Sequence, residues 1–448
     1  MGRRTKLFNA VFNRCSRRMN KSPTSPKGEK LKNLLLTFYP PSITLQIEKG
    51  GETIDHMIEL QFLNANSDIE RIADEIMQDE PCIRPRNRPH LINALRSMVQ
   101  MQSVEYNTFS LFRIQKAHEM PLTHCQFNKM ANLFITSSHD RTCRVWDTEN
   151  GNQLHILSGH SGIVYTCTFD NPTGNLIGTG SNDKTAIIWD VKTGELLHRL
   201  TGHTDTITNV KFDITSRVFA TASSDTTSRI YDVETGESLV QLNGHESEVF
   251  GTEFSNDSEI LITHSFDKTA RLWDIHSGDE ISVLQGHDQV VTAAHFDRTH
   301  SYALTSSLDG TARIWDLRMS APIKVMEEHP GGITDAQWSG NGEYIATGGA
   351  DHMVRLWDSE GTLLHECNGH SGEINKVYFS PQSSRVLTAS ADASCKLWDV
   401  STGICVDTLS GHTMEIHCAE FNYSGEWIIT ASQDNTVIQW KASRSDCR

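Results

Sequence analysis

The chain has 448 residues and a formal net charge of −16, which argues against general affinity for nucleic acid because phosphate repels an acidic surface. Its ten cysteines include no Cys-x-x-Cys pair, which indicates a cytosolic protein with reduced, buried thiols. No apolar run reaches the roughly 18 residues that a membrane span needs, so we expect no membrane partner either.

Residues 1–30 are strongly basic, with lysines and arginines throughout and Glu29 as the single acid. This composition predicts a disordered tail. An organelle transit peptide and a basic arm for an acidic partner are alternatives. An N-myristoylation site is excluded, because Lys6 stands where serine or threonine is required.

Residues 31–107 are predicted to form a small α+β module. Apolar and polar residues alternate over 43–47, and a Gly-Gly turn then leads into a second apolar run, which predicts a β-hairpin. Ser67 and Glu70 have the spacing of a capping box, so a helix is expected to begin there. A second helix is predicted over 89–102, with its apolar residues on one face.

The remainder, residues 108–441, is a tandem repeat. One unit, residues 244–274, has the sequence GHESEVFGTEFSNDSEILITHSFDKTARLWD and predicts three short antiparallel strands, followed by a fourth before the next Gly-His. A period of about 40–45 residues with Gly-His and Trp-Asp marks is the WD-repeat signature, with one propeller blade per unit. Eight units in register predict an all-β fold, an eight-bladed WD-repeat β-propeller with the small α+β module in front of it. The units are marked by His118, His160, His203, His245, His287, His329, His370 and His412.

The strand that closes the ring is expected from the segment that precedes the first repeat. After Trp440 only KASRSDCR remains, which is too short and polar for the outer strand of the last blade, and residues 442–448 are predicted to be a tail. Residues 109–115 resemble the outer strands that precede later Gly-His pairs. We therefore predict that they supply the missing outer strand and latch the ring.

Four polar or aromatic side chains recur in every unit with fixed spacing. Because a catalytic set occurs once per site whereas this set occurs once per blade, it predicts a structural hydrogen-bond network. No catalytic, cofactor or metal site is predicted, and the protein is expected not to be an enzyme. The network is clearest at His160, Thr179, Asp183 and Trp189; His245, Thr263, Asp267 and Trp273; His287, Thr305, Asp309 and Trp315; and His370, Thr388, Asp392 and Trp398.

The repeat is broken in a few places. Ala117 and Glu328 replace the glycine before histidine, Tyr231 replaces tryptophan, and Lys441 replaces the aspartate after Trp440. We expect the fold to tolerate these changes.

Residues 31–51, LKNLLLTFYPPSITLQIEKGG, closely resemble the start of the outer-row dynein assembly protein with WD repeats. The entry into the first blade, TFSLFRIQKAHEMPLTHCQFN, and the last blade, GHTMEIHCAEFNYSGEWIITASQDNTVIQW, are also similar to that family. The resemblance implies a small N-terminal module followed by an eight-bladed propeller.

The same resemblance implies a function. Members of that family are non-enzymatic cargo adaptors that link outer-arm axonemal dynein to intraflagellar transport for delivery into cilia or flagella. The implied partners are dynein subunits and a protein of the transport train. The implied locations are the cytoplasm, basal body, axoneme and cilium, and a monomer without cofactors is expected. The sequence assigns no individual partner-contact residue.

Two other classes remain open. Trp315, Asp316 and Arg318 resemble the Asp-x-Arg element by which some WD proteins bind the adaptor of a cullin ubiquitin ligase, with Arg318 as the contact. A substrate receptor of such a ligase is therefore one alternative. A generic WD-repeat scaffold like the G-protein β subunits is the other, although the chain lacks the N-terminal coiled coil of that pairing.

Overall fold

The computed structural model describes residues 30–38, 41–49, 52–60, 68–80, 83, 85–102, 106–170, 173–319 and 321–443. The chain divides into two compact units, Met1–Val104 and Glu105–Arg448. The predicted tail at 1–30 lies outside the described residues except for Lys30, and the predicted tail at 442–448 does so beyond residue 443. No helix in the described ranges combines the length and apolar character needed to cross a bilayer.

The first unit holds, in its described part, one antiparallel three-stranded sheet in the order β1-β2-β3 and two α-helices. The hairpin between β2 and β3 turns between Lys49 and Glu52. β1 was not anticipated from the sequence. The elements are β1 (Lys30–Phe38), β2 (Pro41–Lys49), β3 (Glu52–Glu59), α1 (Ile69–Asp79), a 3-10 turn (Pro85–Asn87) and α2 (Arg88–Gln102).

The start of α1 differs from the prediction. Asp68 is the N-cap, and its carboxylate accepts hydrogen bonds from the backbone N–H groups of Glu70 and Arg71, both at 3.2 Å. The prediction of Ser67 as the cap was wrong; Ser67 itself lies outside the described residues. Aspartate and serine are about equally good N-caps, so local preference did not decide between neighbours. The core of this unit joins sheet and helices through Ile43, Leu45, Ile72, Ala73, Leu91, Leu95 and Met98.

The second unit is an eight-bladed β-propeller. Among the described residues, 32 strands form eight four-stranded antiparallel sheets, and the first strands of neighbouring sheets touch. Seven blades consist of four strands that are consecutive in the chain.

The strands of the first four blades are β5 (Leu122–Phe127), β6 (Leu133–Ser138), β7 (Thr142–Asp147) and β8 (Gln153–Ser158); β9 (Val164–Phe169), β10 (Leu176–Ser181), β11 (Ala186–Asp190) and β12 (Leu196–Leu200); β13 (Ile207–Phe212), β14 (Val218–Ser223), β15 (Ser228–Asp232) and β16 (Ser238–Leu242); β17 (Val249–Phe254), β18 (Ile260–Ser265), β19 (Thr269–Asp274) and β20 (Glu280–Gln285). Those of blades 5 to 7 are β21 (Val291–Phe296), β22 (Tyr302–Ser307), β23 (Ala312–Asp316) and β24 (Ala321–Met326); β25 (Ile333–Trp338), β26 (Tyr344–Gly349), β27 (Val354–Asp358) and β28 (Leu363–Cys367); β29 (Ile374–Phe379), β30 (Arg385–Ser390), β31 (Ser394–Asp399) and β32 (Cys405–Ser410).

Blade 8 combines both ends of the unit. Its strands β33 (Ile416–Phe421), β34 (Trp427–Ser432) and β35 (Thr436–Ala442) are joined by β4 (Phe109–Lys116), which pairs antiparallel with β35. β4 also reaches both neighbouring blades. The Phe109 N–H donates to the Asp407 carboxylate of blade 7 at 2.8 Å, and the Gln115 side chain donates to the Gly151 carbonyl of blade 1 at 2.5 Å.

The hydrophobic core lies between blades rather than in one centre. Leu304, Ile314 and Met326 of blade 5 pack against Ile333, Ile345 and Trp357 of blade 6 in one buried cluster. Each blade therefore depends on its neighbours to cover its apolar face, and the closed ring leaves no blade at an end.

Candidate functional site

The recurring polar side chains meet inside each blade. In the four units where the sequence marks them most clearly, the histidine Nδ1 lies 2.7–2.9 Å from the aspartate Oδ2. The histidine Nε2 lies 2.7–2.8 Å from the threonine Oγ1. The tryptophan Nε1–H donates to the same hydroxyl oxygen at 2.8–3.0 Å. We call this group the tetrad; it comprises His160, Thr179, Asp183 and Trp189; His245, Thr263, Asp267 and Trp273; His287, Thr305, Asp309 and Trp315; and His370, Thr388, Asp392 and Trp398.

The donor and acceptor capacities of the four side chains determine where the protons of the tetrad lie. The indole can only donate, so the threonine oxygen accepts from it and its hydroxyl hydrogen goes to the histidine Nε2. The histidine is then protonated on Nδ1 and donates to the carboxylate, which is an assignment from the hydrogen-bond network. Every member therefore has a partner for each group it turns inward.

The charge state follows from burial and hydrogen bonding. Burial alone raises the pKa of Asp183, but hydrogen bonds from the Thr185 hydroxyl, the Ser161 N–H and His160 outweigh it and lower that pKa to about 2. The pKa values of Asp309 and Asp392 also fall to about 2, for the same reasons. Burial lowers the pKa of His160, so the imidazole stays neutral beside an ionised carboxylate.

The order hydroxyl, imidazole, carboxylate is also that of hydrolytic triads. Here, however, the threonine side chains are fully buried, with 0% exposure at Thr179, Thr263, Thr305 and Thr388. Their oxygens are also occupied by the indole N–H. A nucleophile needs an accessible oxygen, so this arrangement offers no route for a substrate to the hydroxyl.

The aspartate also holds the turn between the second and third strands. The residue after the aspartate has a positive φ even where it is not glycine, for example +69° at Lys184 and +70° at Lys268. Such a backbone is uncommon for residues with a side chain. The carboxylate accepts from the backbone and hydroxyl of the next residue but one, such as Thr269, and so stabilises the turn.

Blade 6 departs from this pattern and compensates. Pro330 follows His329, and proline has no N–H to offer Asp351. Met353 also replaces the usual threonine. The Arg355 guanidinium, 5% exposed, donates to the Asp351 carboxylate at 2.7 Å instead. Sequence reasoning missed Arg355, although the His-Pro pair was a signal that a donor was lacking.

Blade 3 adjusts in another way. Tyr231, which replaces tryptophan, donates its hydroxyl to the Thr201 carbonyl at 3.2 Å. Burial raises the pKa of Tyr231 to about 12, so the phenol remains a donor.

The inner strands carry a second set of polar residues, which differ between blades. Several accept a hydrogen bond from the backbone of the next blade. The Gln126 side chain accepts from the Phe169 N–H at 2.9 Å, and Glu420 accepts from the Phe127 N–H at 3.1 Å across the closure of the ring. Burial raises the pKa of Glu420 to about 8, so this carboxyl group is protonated at neutral pH.

Two further chemistries can be examined in the structure. Within the described ranges, no group of three or more His, Cys, Asp or Glu side chains is placed to hold a metal ion. Arg318 forms a two-pronged pair with Asp316 of its own turn, at 2.9 and 2.7 Å. That pairing is the main cause of the lowered pKa of Asp316.

Comparison with known proteins places these features in context. Residues 121–399 match the family model described as the IFT122 first beta-propeller, and residues 403–441 match the WD domain, G-beta repeat. The chain is 44% identical over 148 residues to the mouse dynein assembly factor with WD repeat domains 1, and 42% identical over 148 residues to the human one. Each match covers 32% of this chain and 35% of the relative, so about a third of the curated relatives' length is spanned.

A solved structure shares the fold. The crystal structure of the computationally designed Ika8 protein superposes with a TM-score of 0.65 and 27% identity, covering 72% of this chain and 97% of that one. The family model extends over well over half of the residues. The chain therefore belongs to the family of WD-repeat β-propellers described as the IFT122 first beta-propeller.

Proposed function

We propose that this protein is a non-enzymatic adaptor that helps to assemble outer-arm axonemal dynein by linking it to intraflagellar transport. The observation that carries the proposal is the 44% identity to the mouse dynein assembly factor with WD repeat domains 1. The resemblance of residues 31–51 to the start of that family points the same way. The partners would be outer-arm dynein subunits and a transport-train protein, met in the cytoplasm and at the basal body, axoneme and cilium.

The arrangement of the tetrads supports a scaffold rather than an enzyme. Their hydroxyl groups are buried and already bonded, as at Thr305. We infer that they stabilise the blades, and that binding is left to the surfaces of a monomeric protein without cofactors. A net charge of −16 supports protein partners over nucleic acid.

The domain organisation belongs to the same proposal. A small α+β module over 31–107 precedes a propeller over 108–441 whose last blade takes its outer strand from 109–115. The pairing of β4 with β35 supports this division.

The ubiquitin-ligase alternative depends on Arg318. Its guanidinium donates to the Asp316 carboxylate, and these hydrogen bonds would have to break before Arg318 could make a full contact with an adaptor. We therefore keep that function only as an outcome of the test below.

The proposal is tested by removing the protein from a ciliated cell and examining axonemes by electron microscopy. We expect outer arms to be lost and to return when the full-length chain is re-expressed. A chain lacking 109–115 provides the matched control, because it should not restore them. Normal outer arms in cells without the protein would contradict the proposal.

Affinity capture with the full-length chain distinguishes the alternatives. Recovery of outer-arm dynein and transport-train subunits would support the adaptor. Recovery of cullin components, lost on Arg318→Ala, would favour the ligase receptor instead.

A further inference from the structure

The eight blades serve as internal controls for one another. At the second residue of the inner strand, five of the eight described inner strands carry threonine or asparagine, and its side chain donates to a backbone carbonyl of the next blade. The distances are 2.7 Å from Thr123 to Val164, 2.8 Å from Thr208 to Val249, 2.9 Å from Thr292 to Ile333 and 2.8 Å from Asn375 to Ile416, and Thr334 bonds Ile374 in the same way. This position therefore has a structural task, which is to join neighbouring blades.

Blade 4 performs that task with a different residue. Phe250 occupies the position and cannot donate, but the Val291 carbonyl of the next blade is 3.1 Å from Nδ1 of His264. Burial lowers the pKa of His264 to about 3, so the imidazole is neutral and its single N–H serves this bond. The inter-blade hydrogen bond is thus kept without the threonine.

His264 fits only because Gly251 makes room for it. A Cβ at Gly251 would lie 2.4 Å from the His264 Nε2. The other blades carry small residues where blade 4 has histidine, and residues with a Cβ where blade 4 has Gly251. The small residues are Ser137, Gly180, Ala222, Ser306, Gly348, Ala389 and Ala431. Phe250, Gly251 and His264 are therefore a coordinated change, and its net product is a phenyl ring on the surface.

That ring has an apolar neighbour. Phe250 is 48% exposed and Phe266 is 40% exposed, with ring centroids 6.0 Å apart in an edge-to-face arrangement. Phe266 directly precedes the tetrad aspartate, where most other blades have a polar or small residue. Neither phenylalanine is needed to close a blade, since four other blades carry threonine at the position of Phe250 and six carry a polar or small residue at the position of Phe266.

The surroundings of the two rings are acidic. The Phe266 N–H donates to the Glu248 carbonyl at 3.0 Å, and the Glu246 N–H donates to the Asp267 carboxylate at 3.1 Å, so this loop lies against the Phe266 turn. The side chains of Glu246 and Glu248 are exposed, and Lys268 is the cation on the same turn. Carboxylates beside aromatic faces attract lysine and arginine side chains.

We propose that Phe250 and Phe266 form a docking site for a basic segment of another protein, which packs an aromatic or long aliphatic side chain against the two rings. Lysine or arginine residues on either side of that anchor would lie near Glu246 and Glu248. The charge complementarity selects a basic occupant, and the exposed ring pair selects an apolar anchor.

The test uses the full-length chain and a fluorescein-labelled heptapeptide, Lys-Arg-Lys-Phe-Lys-Arg-Lys, with binding followed by fluorescence anisotropy. A peptide with alanine in place of phenylalanine has the same charge and measures charge attraction alone. Phe250→Thr introduces the residue that four other blades carry at this position, so it should fold, and we expect it to weaken binding of the phenylalanine peptide at least about tenfold. The variant should then bind the phenylalanine peptide and the alanine peptide with equal affinity.

Two variants provide matched controls. Ile404→Ala removes an apolar side chain of comparable exposure, 64%, from the outer region of blade 7 and should leave the affinity unchanged. Tyr165→Thr removes the aromatic residue at the same position of blade 2 and should also have no effect. Glu248→Gln should weaken both peptides, and more so at low salt.

Equal binding of the two peptides to the natural chain would overturn the proposal, as would an unchanged affinity of Phe250→Thr or an equal loss with Tyr165→Thr. A second copy of the chain is the competing occupant. If the peptide does not bind and Phe250→Thr converts a dimer to a monomer in sedimentation, the site is a self-association surface and the proposal is wrong.

Discussion

At the tetrad positions the described blades carry the same residue types, with Tyr231 as the exception. At the fifth position of the inner strand, by contrast, the residue type differs between most blades. That position carries Gln126, Thr168, Lys211, Glu253, His295, Gln337, Tyr378 and Glu420. The tetrad closes its hydrogen bonds within one blade, while several of these inner-strand residues bond to the next blade. A closed network tolerates little change, because each member must match three others. A position that needs only one partner across a seam can vary, and such positions are where a repeat protein can differentiate its surface.

The largest effect should come from opening the ring. Removing residues 1–115 deletes most of β4 and leaves β35 without its outer neighbour. About six to eight hydrogen bonds of roughly 1 kcal/mol each are lost with that strand. We expect the melting temperature to fall by on the order of 10 °C relative to a chain lacking only residues 1–104. Equal melting curves for the two deletions, measured by calorimetry, would show that the latch contributes nothing.

The difference between a closed network and a contact across a seam can be tested within blade 5 by one type of substitution at two places. Thr305→Val removes the tetrad hydroxyl and leaves the His287 Nε2 and the Trp315 N–H buried without partners, which should cost about 2–4 kcal/mol. Thr292→Val removes a hydroxyl at the second position of the inner strand, which bonds the Ile333 carbonyl across the seam to blade 6, and should cost about 1 kcal/mol.

Chemical denaturation of both variants measures the difference. If Thr292→Val proved as costly as Thr305→Val, the distinction between a closed network and a seam contact would fail.

Arg355 tests the compensation in blade 6. Arg355→Ala removes the donor that replaces the missing Pro330 N–H, so it should destabilise the protein by about 1–3 kcal/mol. Arg271 holds the same position in blade 4 but lies 3.8 Å from Asp267, which already has other donors. Arg271 donates to the partly exposed Glu280 carboxylate at 2.5 Å instead, so Arg271→Ala should cost no more than about 1 kcal/mol. Equal losses in thermal denaturation would remove the special role of Arg355.

The last effect depends on pH and concerns Glu420. Its pKa is raised from 4.5 to about 8 in the folded chain, so between these values the folded state holds a proton that the unfolded state has released. Stability therefore falls as pH rises through this window, and Glu420→Gln should abolish that loss. The variant should gain on the natural chain by less than about 1.4 kcal/mol per pH unit between pH 5 and 8. A stability difference that stays constant across this range would contradict the protonated state.

Much of the small unit also followed from its sequence, but two details did not. The hairpin of β2 and β3 turns at Lys49–Glu52, where the Gly-Gly pair predicts it. β1 was missed, because the run Lys30–Phe38 has no clear alternation of apolar and polar residues. The choice of Asp68 over Ser67 as the cap of α1 could not be predicted, because the two neighbouring residues have similar capping strength.

The sequence by itself determined that the protein is an eight-bladed propeller, because the period and its marks occur eight times and each unit can bury its apolar face only against another unit. Only the tertiary structure decided how the irregular blades are completed. Arg355 reaches Asp351 in place of an absent N–H, and His264 reaches the Val291 carbonyl in place of a threonine. Such substitutes act between strands and between blades, where the distance in space has no fixed counterpart in sequence spacing. A pattern of local residues therefore predicts the eight-bladed fold, whereas the contacts between neighbouring blades determine which side chains are free of a structural role and can lie on the surface.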